Sequence, residues 1–389
     1  MKKKRIYFDN AATTPLDKKV AKAMAEFEAS FFGNPNSIHY EGQQARAKID
    51  FARAEVAEAI FAKPQEIIFT SGATEANNLA IKGVISFALA KMNEKPHVVT
   101  TTLEHQSVYN VVKEMEKQGI IEATYVKPNR DGIISAEDVI RAIKDNTVLV
   151  SVIFVSNEIG TVLPVRQIGK HIEETNAKLS MKIYFHTDAV QALKYYNCHV
   201  EKLGVDLMTL SAHKINGPKG VGALYVKTGT KLARLMEGGS QEYGMRPGTQ
   251  NTAGIIGFAE AIKTLKDFEA KQKIAKKMNK LAEKYLKAIS KLKNIEINGP
   301  MGEDRSPDNI NFTIKGMDQE TAIAKFDLAG FAVSTGSACV SGSSEPSHVI
   351  LSLNKGYKEP SATVRVSLGK QNTEKELGAF LKILETIGK

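Results

Sequence analysis

The sequence predicts an α/β protein: a mostly parallel seven-stranded sheet covered by helices, joined to a smaller α+β domain. Three observations carry that expectation. Short β-branched runs alternate with helical stretches over the first two thirds of the chain. One long lysine-rich helix then breaks the rhythm. At 389 residues, the chain is also too long for one ordinary core and comfortable for two domains. The apolar fraction of 42% and charged fraction of 25% are globular proportions, which exclude disorder and fibrous repeats.

Residues 1–13 read as short and extended. The opening MKKKRIYFDN is basic but has no apolar run behind it, so no secretory signal is expected. No stretch approaches the length of a membrane span, and a cytoplasmic protein with no membrane partner is expected. Two helices follow, about Lys18 to Phe31 and about Gln43 to Phe61, separated by the turn-rich FFGNPNSIHYEG. The strand runs are then Ile67–Thr70, Val98–Thr101, Thr124–Val126, Val148–Val155, Ile183–Phe185, Leu207–Leu210 and Ala223–Val226. The last follows its predecessor too closely for a helical crossover, so it is expected to pair antiparallel. The large domain is expected over 14–256.

The small domain is expected to combine 1–13 with 257–389. Its strands are Ile295–Ile297, Ile310–Ile314, Ala332–Ser334 and Thr363–Ser367, with helices near Glu320–Leu328 and Glu374–Ile387. Between Lys263 and Lys293, eleven lysines face only Asp267, Glu269 and Glu283, so most of the net charge of +10 sits there. Ile274, Met278, Leu281, Tyr285, Ile289 and Leu292 recur at helical spacing, which predicts a core-facing stripe under a solvated lysine face. A docking face for an acidic protein or for RNA is the competing reading. No aromatic stacking positions interleave with the lysines, so direct nucleic-acid binding is not the expectation.

In an open parallel sheet, ligands bind beyond the carboxyl ends of the strands. Five successive strand ends here carry polar residues: Ser71-Gly72-Ala73-Thr74-Glu75, Glu104-His105, Ser156-Asn157-Glu158, His186 with Asp188 and Gln191, and Ser211 with His213 and Lys214. Ser71–Thr74 at a helix start would offer N–H groups and a hydroxyl to an anion, although a plain N-cap has the same composition. Neither a P-loop nor a dinucleotide fingerprint is present. Asp188, past a hydrophobic strand, needs a cationic or N–H partner, and a protonated pyridine nitrogen would serve. Burial of Lys214 would lower its pKa toward a nucleophilic amine. A phosphate cradle, a buried Asp and a buried Lys together match the needs of pyridoxal phosphate, with Lys as Schiff-base partner and Asp keeping the ring an electron sink.

Two cysteines exclude a disulfide scaffold and a structural zinc site, and no metal is expected. Cys198, in YYNCHVEKL, reads as a small buried hydrophobe. Cys339 lies instead in STGSACVSGSSEP, where glycine and serine predict a mobile loop without bulk to pack. Its thiol could travel between a site and a partner, although composition alone also allows an inert surface loop.

The chain resembles, nearly end to end, the cysteine desulfurases of the aminotransferase-like fold type I pyridoxal-phosphate superfamily. The resemblance is carried by YFDNAATTP, FGNPNSIH, FTSGATEANNLAIKG, TLEHQSV, VSNEIGTV, HTDAVQA, LSAHKINGPKGVGALYV, GGSQEYGMRPGTQN, STGSACVSGSSEPSHV and ATVRVSLG in order. The Cys339 segment resembles the long-loop class of iron–sulfur and nitrogen-fixation desulfurases. The resemblance implies that Lys214 holds the cofactor, Asp188 pairs with the pyridine nitrogen, Gln191 with the ring hydroxyl, and His105 stacks on the ring and assists proton transfer. It implies that Ala73, Thr74, Ser211 and His213 bind the phosphate, joined by Thr249 from the neighbouring subunit of a homodimer. Asn157 and Arg365 would hold the substrate carboxylate. L-cysteine would become L-alanine, with a persulfide on Cys339 donating sulfur to an acceptor.

The phosphate motif reads SAH where many members have SGH. The chain also stops at Lys389, soon after its last helix, whereas housekeeping members extend into a tail that helps dock the iron–sulfur scaffold. That scaffold and a tRNA-thiolation enzyme are therefore equal expectations as acceptor. A selenocysteine lyase shares fold and cofactor and is the alternative enzyme. A plain aminotransferase would have no use for Cys339. From another class, the lysine-rich helix could make this a basic RNA-binding module, which the Lys214, Asp188 and His105 set argues against.

Overall fold

A computed structural model describes residues 5–179, 181–265, 268–335, 347–356 and 360–387. The chain opens with β1 (Ile6–Tyr7) and two helices, α1 (Lys18–Ser30) and α2 (Tyr40–Ala59). The Asp17 carboxylate accepts the Lys19 N–H and fixes where α1 begins. The alternating region then runs β2 (Ile67–Thr70), α3 (Ala73–Leu89), β3 (His97–Thr101), α4 (Gln106–Lys117), β4 (Glu122–Val126), α5 (Ala136–Arg141) and β5 (Thr147–Ser151). It continues through α6 (Val165–Asn176), β6 (Tyr184–Asp188), α7 (Val200–Leu203), β7 (Leu207–Ser211), β8 (Gly222–Val226) and α8 (Thr252–Lys263).

These strands form one seven-stranded sheet in the order β2-β8-β7-β6-β5-β3-β4. Only β8 runs against its neighbours, as its short connection from β7 requires. The sheet is covered on both faces because its strands alternate with period two between two cores. Ile67, Phe69, Val99, Val150 and Met208 belong to the core that includes α2, α6 and α8. Ile68, Val98, Leu149, Leu207 and Leu224 belong to the core built with α3 and α4. The expected Val148–Val155 run is a strand only to Ser151, and the chain then bends, still buried, toward the sheet's carboxyl rim.

The remaining chain contributes α9 (Phe268–Ile289), β9 (Ile295–Ile297), β10 (Asn309–Lys315), α10 (Gln319–Leu328), β11 (Phe331–Ala332), α11 (His348–Ser352), β12 (Ser361–Ser367) and α12 (Glu374–Ile387). β12, β10 and β9 form an antiparallel sheet, while β1 pairs in parallel with β11. Residues 1–13 are thus tied to the C-terminal region by a strand pair. On α9, Met278, Leu281, Tyr285 and Ile289 are buried in this third core, whereas Ile274 is exposed. The stripe is core, and exposed lysines such as Lys276, Lys280 and Lys287 lie outside it.

The expected boundary between 256 and 257 falls inside α8. Residues on both sides of it, Ile255 and Phe258 among them, are buried in the large-sheet core. Val349 and Ile350 of α11 also pack there, because the chain returns to the large sheet before β12. We propose a boundary between α8 and α9, with α11 as an excursion of the second unit onto the first.

Candidate active site

The carboxyl ends of β2, β6 and β7 and the turns after β3 and β5 open onto a cavity of about 450 Å³. It is lined by Ala73, Thr74, His105, Asn157, Asp188, Gln191, Ser211, His213, Lys214 and Arg365, among others. Ten residues predicted from sequence for the site therefore meet in one place. Of the other two, Thr249 is exposed and does not line this cavity, and Cys339 lies outside the described residues.

Lys214 follows β7 in a single 3₁₀ turn, Ala212–Lys214, which aims its side chain back across the rim. Its Nζ donates to the Ala11 and Ala12 carbonyls, both at 2.7 Å. Burial pushes its pKa down to about 8, reinforced by Arg365 and Lys194 and opposed by Asp188 and Asp9. The amine is thereby available near neutral pH. Gln191 Nε2 donates to the same Ala11 carbonyl at 3.0 Å.

Asp188 ends β6 and is 4% exposed. Its carboxylate accepts the Val190 N–H at 3.0 Å and the Asn77 side-chain amide at 2.9 Å. His105 caps α4, its Nδ1 accepting the Ser107 N–H at 3.1 Å. Burial lowers its pKa, against the pull of Asp188. His213 Nδ1 lies 3.1 Å from Thr13 Oγ1, and burial lowers its pKa to about 4.

At the opposite side of the cavity, α3 begins at Ala73. The first N–H groups of a helix have no intrahelical acceptor, and its dipole favours an anion. Gly72 caps it at φ +153°, a backbone setting that L side chains rarely adopt. A Cβ on Gly222 of β8 would stand 2.8 Å from the Gly72 carbonyl carbon, so the close approach of strand and turn requires glycine at 222, whereas at 72 it is the φ that favours glycine.

Ser211 Oγ, also lining the cavity, is buried with no protein partner among the described residues. A buried hydroxyl without a partner costs free energy unless a ligand atom satisfies it. That orphan donor beside a helix N-terminus, with a carboxylate and a depressed-pKa lysine across the cavity, fits pyridoxal phosphate. Ala73, Thr74, Ser211 and His213 stand where the phosphate would be held, and Asp188 and Lys214 where ring and aldehyde would be.

Arg365 projects from β12 and is 1% exposed. It donates to the Asn157 carbonyl at 3.1 Å and to Asp9 Oδ1 at 3.0 Å. The site thus borrows a cation from the C-terminal sheet. Sequence reasoning missed Asp9 and Asn77 as site residues. Both lie in motifs noted for the resemblance, and Asn77 carried a signal: a polar residue three positions after Thr74, on the same face of the helix that follows the β2 turn.

Cys198 is 2% exposed within the large core, where burial pushes its thiol up to about 12. Among the described residues, no cluster of three or more His, Cys, Asp or Glu side chains is set to hold a metal, and no helix is long and apolar enough to cross a membrane.

A family model for aminotransferase class-V matches residues 6–380. The cysteine desulfurase IscS of Dictyoglomus turgidum is 43% identical over 99% of this chain and 95% of its own length. The cysteine desulfurase IscS of Methanosarcina thermophila is 37% identical over 99% and 92%. Among solved structures, a NifS-like protein matches with a TM-score of 0.88 at 34% identity, covering 98% of this chain and 99% of its own. A structure of SspA in complex with cysteine matches with a TM-score of 0.78 at 35% identity, covering 93% and 98%. With the fold, the cavity and these relatives in agreement, the chain belongs to the class-V aminotransferase family and, within it, to the cysteine desulfurases.

Proposed function

We propose that this protein converts L-cysteine to L-alanine and passes the sulfur, as a persulfide of Cys339, to an acceptor protein. The observation that carries the reading is Lys214. Its amine is brought near neutrality in a cavity that also holds a buried carboxylate, an orphan hydroxyl and a helix N-terminus. Bound pyridoxal phosphate supplies an electron sink for the pair left when the substrate's α-proton departs.

The chain's own residues do the rest. Arg365, held by Asp9, presents a fixed guanidinium to the substrate carboxylate, with Asn157 beside it. Lys214 Nζ takes up the α-proton and later returns it. Asp188 presents its carboxylate where a protonated ring nitrogen would lie. Cys339 attacks the substrate sulfur as thiolate: the S–S bond forms, the carbon–sulfur bond breaks, and the three-carbon product takes up protons to leave as alanine.

A homodimer in which the partner's exposed Thr249 completes the phosphate site belongs to the same reading, as does an iron–sulfur scaffold or tRNA-thiolation enzyme as acceptor. The purified protein's visible spectrum, recorded before and after L-cysteine with alanine and sulfide assayed in the same tube, tests it. A cofactor band that shifts with cysteine, and alanine production that Cys339→Ser abolishes without loss of that band, is the expected result. Absence of cofactor uptake from added pyridoxal phosphate, or undiminished sulfide release by Cys339→Ser with reductant, overturns it.

A further inference from the structure

Behind the cavity wall, a chain of buried polar groups links Asp188 to His105. Asn77 lies on α3 with 0% exposure. Its Nδ2 donates to Asp188 Oδ2 at 2.9 Å and to Ser107 Oγ at 2.8 Å. The opposite amide orientation would set its oxygen against a carboxylate, so the donor assignment is compelled. Ser107 Oγ accepts that N–H, which leaves its own proton free to go elsewhere. It lies 2.7 Å from His105 Nδ1, which also accepts the Ser107 backbone N–H at 3.1 Å. A backbone N–H can only donate, so Nδ1 must carry its lone pair.

We propose that Asn77 and Ser107 are positioning residues that lock His105 as the Nε2–H tautomer and fix its ring in register with Asp188. Two donors converge on Nδ1, and a hydrogen bond to the neutral form opposes protonation. The charged and titratable groups around the ring divide: Asp188 favours the imidazolium, whereas Lys214 and Arg365 oppose it, and His213 and His348 also feel its charge. With Nδ1 closed from behind, the only exchangeable proton His105 can present to the cavity is the one on Nε2. Any proton it gives or regains at the reacting centre passes through that atom. The reaction in which the ring takes part rests on the proposed function, but the tautomer itself does not.

The test is histidine-selective ¹⁵N labelling with two-bond nitrogen–proton correlation, on the cofactor-free protein and on protein loaded with pyridoxal phosphate. His105 is assigned by loss of its signals in His105→Gln. The expected wild-type result is an Nε2–H ring, with Nδ1 unprotonated, wherever the imidazole is neutral. Ser107→Ala is the least disruptive variant. It should raise the His105 pKa by about one unit, a tenfold gain in proton affinity, and move the pH profile of the cysteine-induced absorbance change equally. Asn77→Ala should move both in the same direction, and Ser107→Thr should restore both. An Nδ1–H ring in the wild type, or an unmoved pKa in Ser107→Ala, overturns the proposal. An Nε2–H ring in a protein that never turns over cysteine supports this proposal and overturns the desulfurase reading instead.

Discussion

Arg365 and Asp9 meet at 3.0 Å although 356 positions separate them in the chain. Asp9 follows the strand β1, which pairs with β11, and Arg365 sits on β12, bridged to Ser334 just beyond β11. The N-terminal segment whose Ala11 and Ala12 carbonyls accept from Lys214 is therefore fastened at the same place as the Arg365 guanidinium. Tyr7 Oη lies 2.8 Å from the Thr13 carbonyl and 3.0 Å from the Asp9 carbonyl, and shares its single proton between them. Lys214 and Arg365 are positioned by one strap.

Replacing Arg365 by lysine keeps the charge and loses the planar fork that can grip Asp9 and a carboxylate together. A charge-assisted hydrogen bond is worth about 1.5–3 kcal/mol, roughly a 10–100-fold change in binding. Arg365→Lys should raise KM for L-cysteine by that factor while leaving the cofactor spectrum in place. Steady-state kinetics check it; an unchanged KM would remove Arg365 from substrate binding.

Lys214 gives a stability prediction for the cofactor-free protein. Its pKa falls from 10.5 to about 8 on burial, so below pH 8 the folded state carries the full cost of a buried ammonium. As pH rises from about 8 to 10.5, the folded state gives up its proton first and the penalty disappears. At 1.36 kcal/mol per unit the penalty is about 3 kcal/mol. Lys214→Met should be more stable than wild type at pH 7, with a gap that closes toward pH 10.5. Urea unfolding at the two pH values measures the gap, and a gap independent of pH would contradict the depressed pKa.

The sequence made the sheet legible because each strand is a β-branched run with a polar residue just past its carboxyl end, and those ends converge by topology. Asp188, Ser211 and Lys214 could be placed in one site on that ground alone. The end of the β5 run was misplaced because Val152–Val155 stay buried after leaving the ladder, and apolar composition does not separate a strand from a buried bend. The boundary we propose differs from the expected one for a related reason. The lysine-rich stretch marks where composition changes, but α8 before it is an apolar helix whose neighbours, α1 and α2, are distant in sequence. The Asn77–Ser107–His105 link was invisible because it depends on α3 and α4 lying side by side, a contact that no local pattern encodes.

Glu104 gives the last prediction. It immediately precedes His105 and is 0% exposed, with Oε1 accepting the Ile153 N–H and the Thr101 hydroxyl, both at 2.8 Å. Burial, with a smaller contribution from Asp188, raises its pKa from 4.5 to about 8. The folded state therefore holds a proton that the unfolded chain has lost between those values, and stability falls as pH rises from about 4.5 to 8. The full change is on the order of 4–5 kcal/mol at 1.36 kcal/mol per unit. Glutamine imitates the protonated acid: its Oε1 can keep both donors, and it has no proton to lose in this range. Glu104→Gln should match wild type near pH 4.5 and exceed its stability increasingly toward pH 8. Unfolding midpoints of the two proteins at pH 5 and pH 8 decide the matter. A difference that stays constant, or one that favours wild type at pH 8, would mean that Glu104 is ionised in the fold.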